Sequence, residues 1–237
     1  MQIEILPVKK EYEVLLDLYP PKLANKFLPD WYKKQKFIGH KEHHHNYWKN
    51  GDLTGAKACP AIQDLVTTGF VIPLWSNFYF TTLDNGEQVY ESTVVEVVQE
   101  PLEMHISAHP AKQVADLDLQ KNNVGQILKF QLPYWIKIPE GYNLLFTDPF
   151  YNFRKDIRCL SGIIEGDKWG TLAIPFEILK PEFTIMAGTP LIHVYPVKRE
   201  SKKINLITRK GNDEEYYHIK KNIAKVQLTR TNYRSEI

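Results

Sequence analysis

Four histidines crowd one short stretch of the chain: His40, His43, His44 and His45. Imidazoles three residues apart can share a metal ion on one helical turn, which makes His40, His43 and His45 candidate ligands. Glu42 is the one carboxylate nearby. The stretch is polar and aperiodic, so a solvated or inter-subunit loop is the competing reading. Cys59 precedes Pro60 at a predicted helix start, where a thiol's pKa falls and the sulfur gains nucleophilicity. No Ser/Cys–His–Asp order can be laid around it, although His105, His109 and His193 are available bases; a buried structural cysteine is the alternative. Glu165 and Asp167 stand two residues apart between Gly162 and Gly170. Phosphoryl transfer needs metal-binding carboxylates together with phosphate donors. A tight hairpin whose acids merely face water needs neither.

Aromatic residues form the other conspicuous groups: Trp31 with Tyr32, Trp75 with Phe78, Tyr79 and Phe80, and Tyr134 with Trp135. Rings interleaved with lysine can stack on single-stranded nucleic acid. Here the lysines form no sustained stripe. Core packing and protein–protein contact are the expected fates, with Trp31, Trp75 and Trp135 as candidate partner-binding residues. The basic pairs Lys198-Arg199, Lys202-Lys203, Arg209-Lys210 and Lys220-Lys221 are scattered and broken by acids, as on a solvated face.

These residues need elements to position them. The chain has 237 residues, enough for one large or two small domains. Lys+Arg number 30 against 28 Asp+Glu, so net charge supplies no general attraction to nucleic acid or anionic membrane. Two cysteines make no disulfide framework. MQIEILPVKK lacks the pattern of a signal peptide, and no apolar run approaches a membrane span. A soluble protein made in a reducing cytoplasm is expected.

Residues 2–7 alternate as a strand. A helix is predicted to end near Lys26 and another to cover 30–34. Residues 37–57 read as a long loop. A short amphipathic helix starts at Cys59-Pro60 and stops at Gly69. Strands are predicted over 70–81 and 88–99 around Asp84-Asn85-Gly86. Residues 112–125 read as a polar excursion. A strand over 126–138 must accommodate Pro133 by an edge or bulge. From Ile138 to Arg199, β-rich runs alternate with turn residues, the pattern of a compact barrel with short connections. Within it Ile163, Leu172, Ile174, Phe176, Ile185 and Leu191 are expected inside, and Gly170 and Gly188 in turns. A helix over 213–226 begins with acids and continues with lysines, suiting its dipole. Tyr217, Ile219, Ile223 and Val226 make its apolar stripe.

The segments Gly162-Ile163-Ile164-Glu165-Gly166-Asp167-Lys168-Trp169-Gly170 and Gly188-Thr189-Pro190-Leu191-Ile192-His193 resemble the GVIDxDYRG and GDRIAQ motifs of the dUTPase family. The resemblance implies a dUTPase-like barrel, often trimeric. It would give Glu165 the role of orienting the attacking water, with Asp167 as second acid. The chain departs from the pattern at Lys168-Trp169, at Thr189 and at His193. It has no serine-bearing element between Gly141 and Asp156, and no glycine-rich arm beyond Lys210-Gly211-Asn212. A second set of strings is similar to a family of uncharacterised tailed-bacteriophage proteins: Pro20-Pro21-Lys22-Leu23-Ala24, Leu28-Pro29-Asp30-Trp31-Tyr32-Lys33, Lys57-Ala58-Cys59-Pro60-Ala61, Gly69-Phe70-Val71-Ile72-Pro73-Leu74-Trp75, and Gly188-Thr189-Pro190 through Glu200. It implies a phage source and no activity.

The expectation is thus a mainly β protein, a dUTPase-like barrel or two-sheet sandwich over 70–200. An N-terminal strand, helices and loop (1–69) and a C-terminal helical extension (201–237) pack on it. No complete catalytic set survives, and no cofactor is implied. A non-enzymatic virion component of capsid-associated or decoration type is the leading reading. Other virion proteins or further copies of itself, a trimer first, are the expected partners. It would pass from host cytoplasm to virion. A nucleotide-binding or nucleotide-hydrolysing protein using Glu165 and Asp167 is the alternative, and a host-takeover binding factor the second alternative.

Overall fold

Fourteen short strands dominate the described chain, and every pairing among them is antiparallel. The computed structural model describes residues 1–35, 59–84, 88–93, 106–109, 113, 127–199 and 206–228. The strands are β1 Glu4–Pro7, β2 Lys22–Leu23, β3 Phe70–Pro73, β4 Asn77–Thr82, β5 Gln88–Thr93, β6 Ile106–Ala108, β7 Leu128–Gln131, β8 Tyr134–Lys137, β9 Tyr142–Thr147, β10 Ile157–Cys159, β11 Gly162–Glu165, β12 Ala173–Ile178, β13 Glu182–Ile185 and β14 Pro190–Lys198. The helices are α1 Glu13–Leu18, α2 Asp30–Lys34, α3 Pro60–Thr67 and α4 Asp213–Leu228, with 3-10 turns at Lys10–Tyr12 and Ala24–Lys26. The mainly β expectation holds, as do the N-terminal helical segment and the C-terminal helix.

Two compact units divide the chain: Met1–Pro29 with Leu65–Glu200, and Asp30–Asp64 with Ser201–Ile237. The first holds all four sheets, ordered β10-β12-β7-β6, β11-β9-β14-β3-β2, β13-β4-β5 and the pair β1-β8. Its core is aromatic. Phe130 of β7 stacks on Phe176 of β12 at 4.3 Å and meets Phe78 of β4 edge-on at 5.5 Å. Phe80 of β4 stacks on Phe183 of β13 at 4.9 Å and reaches Phe176 at 5.8 Å. The four-stranded and three-stranded sheets therefore face each other through rings, which gain from edge and offset geometry beyond their buried area. Tyr12 and Leu15 of the N-terminal turn and α1 join the same core.

Alternation explains β4. In Asn77–Thr82 the rings of Phe78 and Phe80 are buried, whereas Tyr79 points out and bonds Glu182 with its hydroxyl. Pro133 does more than bulge a strand. It separates β7 from β8, and the two halves enter different sheets. Val8 donates to the Pro133 carbonyl at 3.0 Å, anchoring the bend beside β1. Gly69 ends α3 with φ +78 and lies so close to Val194 that a Cβ would sit 2.3 Å from its carbonyl oxygen.

In the second unit, α4 opens with a reciprocal cap. Glu215 N–H donates to the Asn212 side chain at 2.9 Å, and Asn212 N–H donates to the Glu215 carboxylate at 2.8 Å. Arg209 pairs with the same carboxylate through both terminal nitrogens, which helps hold its pKa down to about 2. The predicted stripe is not buried: Tyr217, Ile219 and Ile223 are all exposed.

Candidate functional site

The segment from β11 to β12 is not the hairpin expected. β11 pairs with β9 and β12 pairs with β10 and β7, so the Gly166–Lys168 turn carries the chain from one sheet to another. Lys168 and Trp169 N–H groups both donate to the Glu165 carbonyl, at 3.0 and 2.9 Å, and Gly166 N–H donates to Tyr142 at 3.1 Å. This tight turn aims Asp167 at the start of β9 and at the end of β14. Gly141 N–H donates to Asp167 Oδ2 at 2.9 Å. Arg199, just past β14, donates from Nη1 to Oδ1 at 2.9 Å and from Nη2 to Oδ2. The guanidinium also lies 3.6 Å from Glu165 Oε2, which Lys168 contacts as well.

Electrostatics follow from that geometry. The Arg199 guanidinium, helped by the Gly141 N–H, lowers the Asp167 pKa to about 2. Both Asp167 oxygens are engaged, and Asp167's side chain is only 9% exposed. A metal ion would have to displace Arg199 to gain Asp167. Instead of two acids facing water, the turn holds a cation–carboxylate clamp joining three segments of the sheet. In the sequence Arg199 belongs to a scatter of basic pairs. Only the pairing of β14 with β9 brings it to the acids, because Arg199 N–H then donates to the Gly141 carbonyl at 2.6 Å.

A second cluster lies on the outer face of the five-stranded sheet. Register places Tyr195, Leu145 and Ile163 in one row across β14, β9 and β11, and His193 beside Thr147 in the next. Buried His193 shares 2.7 Å with the Thr68 carbonyl, so Nε2 carries the proton; the Tyr195 hydroxyl donates to the Leu65 carbonyl. Two β14 side chains thus satisfy carbonyls left unpaired at the end of α3. Burial lowers the His193 pKa and raises that of Tyr195. The tautomer is fixed by the carbonyl, the Tyr195 hydroxyl lies 3.3 Å from Nδ1, and among the described residues no carboxylate is bonded to the ring. Phe150 closes over both rings, 5.9 Å from each.

Phe150 belongs to the β9–β10 loop, the most strained backbone described. Tyr151 and Phe153 both have positive φ, 59 and 50, unusual for side chains with a Cβ. Asp148 secures one end by accepting from Cys159 N–H at 3.0 Å. Arg154 secures the other through Asp156 and the Pro190 carbonyl. The anchored loop presents Phe153, 70% exposed, at its tip. Nothing in the spacing of residues 148–156 signals that display, since these conformations are imposed by the anchors.

The other expected site residues separate clearly. Trp75 is fully buried among Phe78 and Phe130, so it offers no surface to a partner. Trp135 of β8 is 44% exposed and lies flat against Gly170, where a Cβ would come within 2.2 Å of the indole. Leu6 of β1 sits opposite it in register. Gly170 is therefore a seat for a ring, outside the turn itself, while Gly188 does occupy a turn with φ +81. Leu172, Ile174, Phe176, Ile185 and Leu191 are buried, but Ile163 is not. Its neighbour Ile164 packs inward, and strand alternation sends Ile163 out. Trp31 meets Tyr32 edge-on in α2 of the second unit. His40, His43, His44 and His45 lie outside the described residues. Among the described residues no three His, Cys, Asp or Glu side chains gather as a metal site. Cys59 is exposed at the start of α3, whereas Cys159 is buried with its thiol pKa pushed up. A concavity of about 590 Å³ beside Lys22, Leu23, Lys26 and Phe27 adjoins β2, at the opposite edge of the sheet from the acids.

No family model matches the chain, and no curated protein matches it. Among solved structures, a mutant dUTPase from Staphylococcus bacteriophage 80alpha is similar with a TM-score of 0.37 and 11% identity, covering 89% of this chain and 99% of that one. No described helix is long and apolar enough to cross a membrane.

Proposed function

We propose that this chain is a non-enzymatic, phage-encoded binding protein, a virion component of the capsid-associated or decoration type. The observation that carries the reading is the placement of Arg199 between Glu165 and Asp167. A carboxylate pair that works on a metal–phosphate substrate needs open oxygens. Here a guanidinium and a backbone N–H fill those of Asp167, and the cluster serves to lock the turn. Contact surfaces are the complementary feature. Trp135, Ile163, Trp169 and Phe153 are large, apolar and open, all on the strand-rich unit. Aromatic anchors of this kind concentrate binding energy. They replace Trp75 in the expected partner surface, and Trp31 of α2, in the second unit, remains proposed as a contact residue of its own.

Two measurements test the reading. Purified protein given dUTP or dCTP with magnesium should release no pyrophosphate. Mass spectrometry of purified particles should find the chain at many copies. Turnover that Glu165→Gln abolishes would overturn the proposal in favour of a nucleotide hydrolase. Absence from particles, without turnover, would favour a factor acting on a host protein.

A further inference from the structure

We propose that the edge of the five-stranded sheet at β2 is a docking site for an acidic, extended segment of a partner protein. Among the described strands β2 ends the sheet, with β3 on its inner side. Its register sets Lys22 against Val71 and Leu23 against Phe70, and Ala24 N–H donates to the Gly69 carbonyl at 3.1 Å. Antiparallel alternation then gives Lys22 and Ala24 to the β3 ladder and turns the Leu23 N–H toward the open edge. The 3-10 turn Ala24–Lys26 follows at once and brings Lys26 and Phe27 beside the strand. Among the described residues Lys22, Leu23, Lys26 and Phe27 line the concavity of about 590 Å³. Leu23 is 63% exposed there, so the concavity is an open shelf and not an enclosed pocket. Small-molecule sites bury most of their ligand. An open shelf along a sheet edge suits a stretch of another chain.

Charge selects the occupant. Among the described residues neither Lys22 nor Lys26 has a carboxylate within ion-pair distance, whereas Lys137, Lys168, Arg154, Arg158 and Arg199 of the same unit each have one. Lysines on a sheet edge deter neutral or basic segments from pairing there. The same two charges attract a segment carrying Asp or Glu and steer its approach. Three contacts then act together. Carboxylates meet Lys22 and Lys26, an apolar side chain between them rests on Leu23 and half-buried Phe27, and a main-chain carbonyl accepts from the Leu23 N–H. The occupant therefore alternates acidic and apolar residues. None of the exposed rings Trp135, Phe153 and Trp169 takes part.

The test titrates the full chain into a short labelled peptide that alternates glutamate and leucine, both ends blocked, and follows fluorescence anisotropy. Saturable binding is expected, weakening as salt is raised. Lys22→Glu with Lys26→Glu should weaken it by at least about tenfold, and the same peptide with glutamine for glutamate should not saturate. Leu23→Pro isolates the main-chain contact. Leu23 already has φ −51, close to the value proline fixes, and it follows an extended residue, so the variant should melt as the parent does. It should bind more weakly than Leu23→Ala, which keeps the N–H. Amide exchange at Leu23 should slow when the peptide is bound. Exchange at Ile163 on β11, whose N–H the register turns outward at the opposite edge, should not change. Absence of saturable binding would overturn the proposal, as would equal binding of the glutamine peptide or binding that survives the charge reversal. Leu23→Pro binding as tightly as Leu23→Ala, or equal slowing at Ile163, would overturn the placement along β2.

Discussion

The rings between the four-stranded and three-stranded sheets and the rings on the outside of the same unit are the same residue types with opposite roles. Trp75, Phe78, Phe80, Phe130 and Phe176 are fully buried and touch one another across sheets. Trp135, Phe153 and Trp169 are 44%, 70% and 66% exposed. An aromatic-rich composition therefore says little until strand register divides the rings. The inner set defines the fold. The outer set leaves large apolar rings open to solvent, the residue types that serve as anchors where proteins meet.

The comparison breaks most directly at the core. Ile174→Asp places a charge at a fully buried position of β12 and should cost several kcal/mol, on the order of the whole stability, leaving no cooperative unfolding transition. Phe130→Ala removes the ring that meets Trp75, Phe78, Phe80 and Phe176, and should cost about 3–5 kcal/mol in chemical denaturation. If Trp169→Ala proved equally damaging in the same assay, the division into two sets would be wrong.

Gly170 tests the border between the sets. A methyl there would lie 2.2 Å from the Trp135 indole, so Gly170→Ala must lift the ring off its seat. Because that ring is already partly exposed, it can swing outward. The cost should be about 1–3 kcal/mol, with tryptophan emission shifted to the red. Unchanged emission would mean that Trp135 does not rest on Gly170.

How much of this was legible before the fold was known depends on the range of the interaction. Local rules served well: Gly69 stopping α3, the acids opening α4, and the β-rich punctuation after Ile138. Pro133 was read as a local irregularity although it redirects the chain between sheets. That is a long-range outcome, fixed by what β7 and β8 each pair with. Ile163 is expected inside as part of the barrel stretch, yet a strand with one buried face can bury only one of two neighbours, and Ile164 is the one that packs inward. The acids were visible at once. Their meaning was not, because Arg199 is 32 residues from Asp167 and reaches it only through the register of β14 on β9.

Acid should expose the difference between clamp and core in two separate windows. The His193 pKa is lowered by burial, so the unfolded chain binds the proton first as pH falls below about 6.5. Stability should drop from there, and His193→Gln should flatten that slope. Asp167 has its pKa lowered from the ordinary 3.8 to about 2. Its contribution is present above the ordinary value and is lost as pH falls from about 4 toward 2. Asp167→Asn should flatten that second slope and leave the first, the remainder coming from Glu215 and Asp156, whose pKa values are also lowered. Denaturation midpoints followed from pH 8 to pH 2 would show this; one unbroken slope in both variants would contradict the clamp.

The smallest effect on stability should come from Phe153, and there the comparison is sharpest. Its ring stands 70% exposed on a loop whose geometry is held from elsewhere, by Asp148 at Cys159 N–H and by Arg154 at Asp156 and Pro190. Little burial is lost on removing it, so Phe153→Ala should change stability by no more than about 0.5 kcal/mol. Positive φ at this position favours glycine over any side chain, so Phe153→Gly should relieve strain and match or exceed the parent in denaturation midpoint. On the proposed reading, the ring is held in that conformation for contact with a partner. Binding to purified capsids should accordingly weaken in both variants while stability holds. If Phe153→Gly lost stability instead, the loop would be part of the core's support, and the outer set would shrink to its tryptophans.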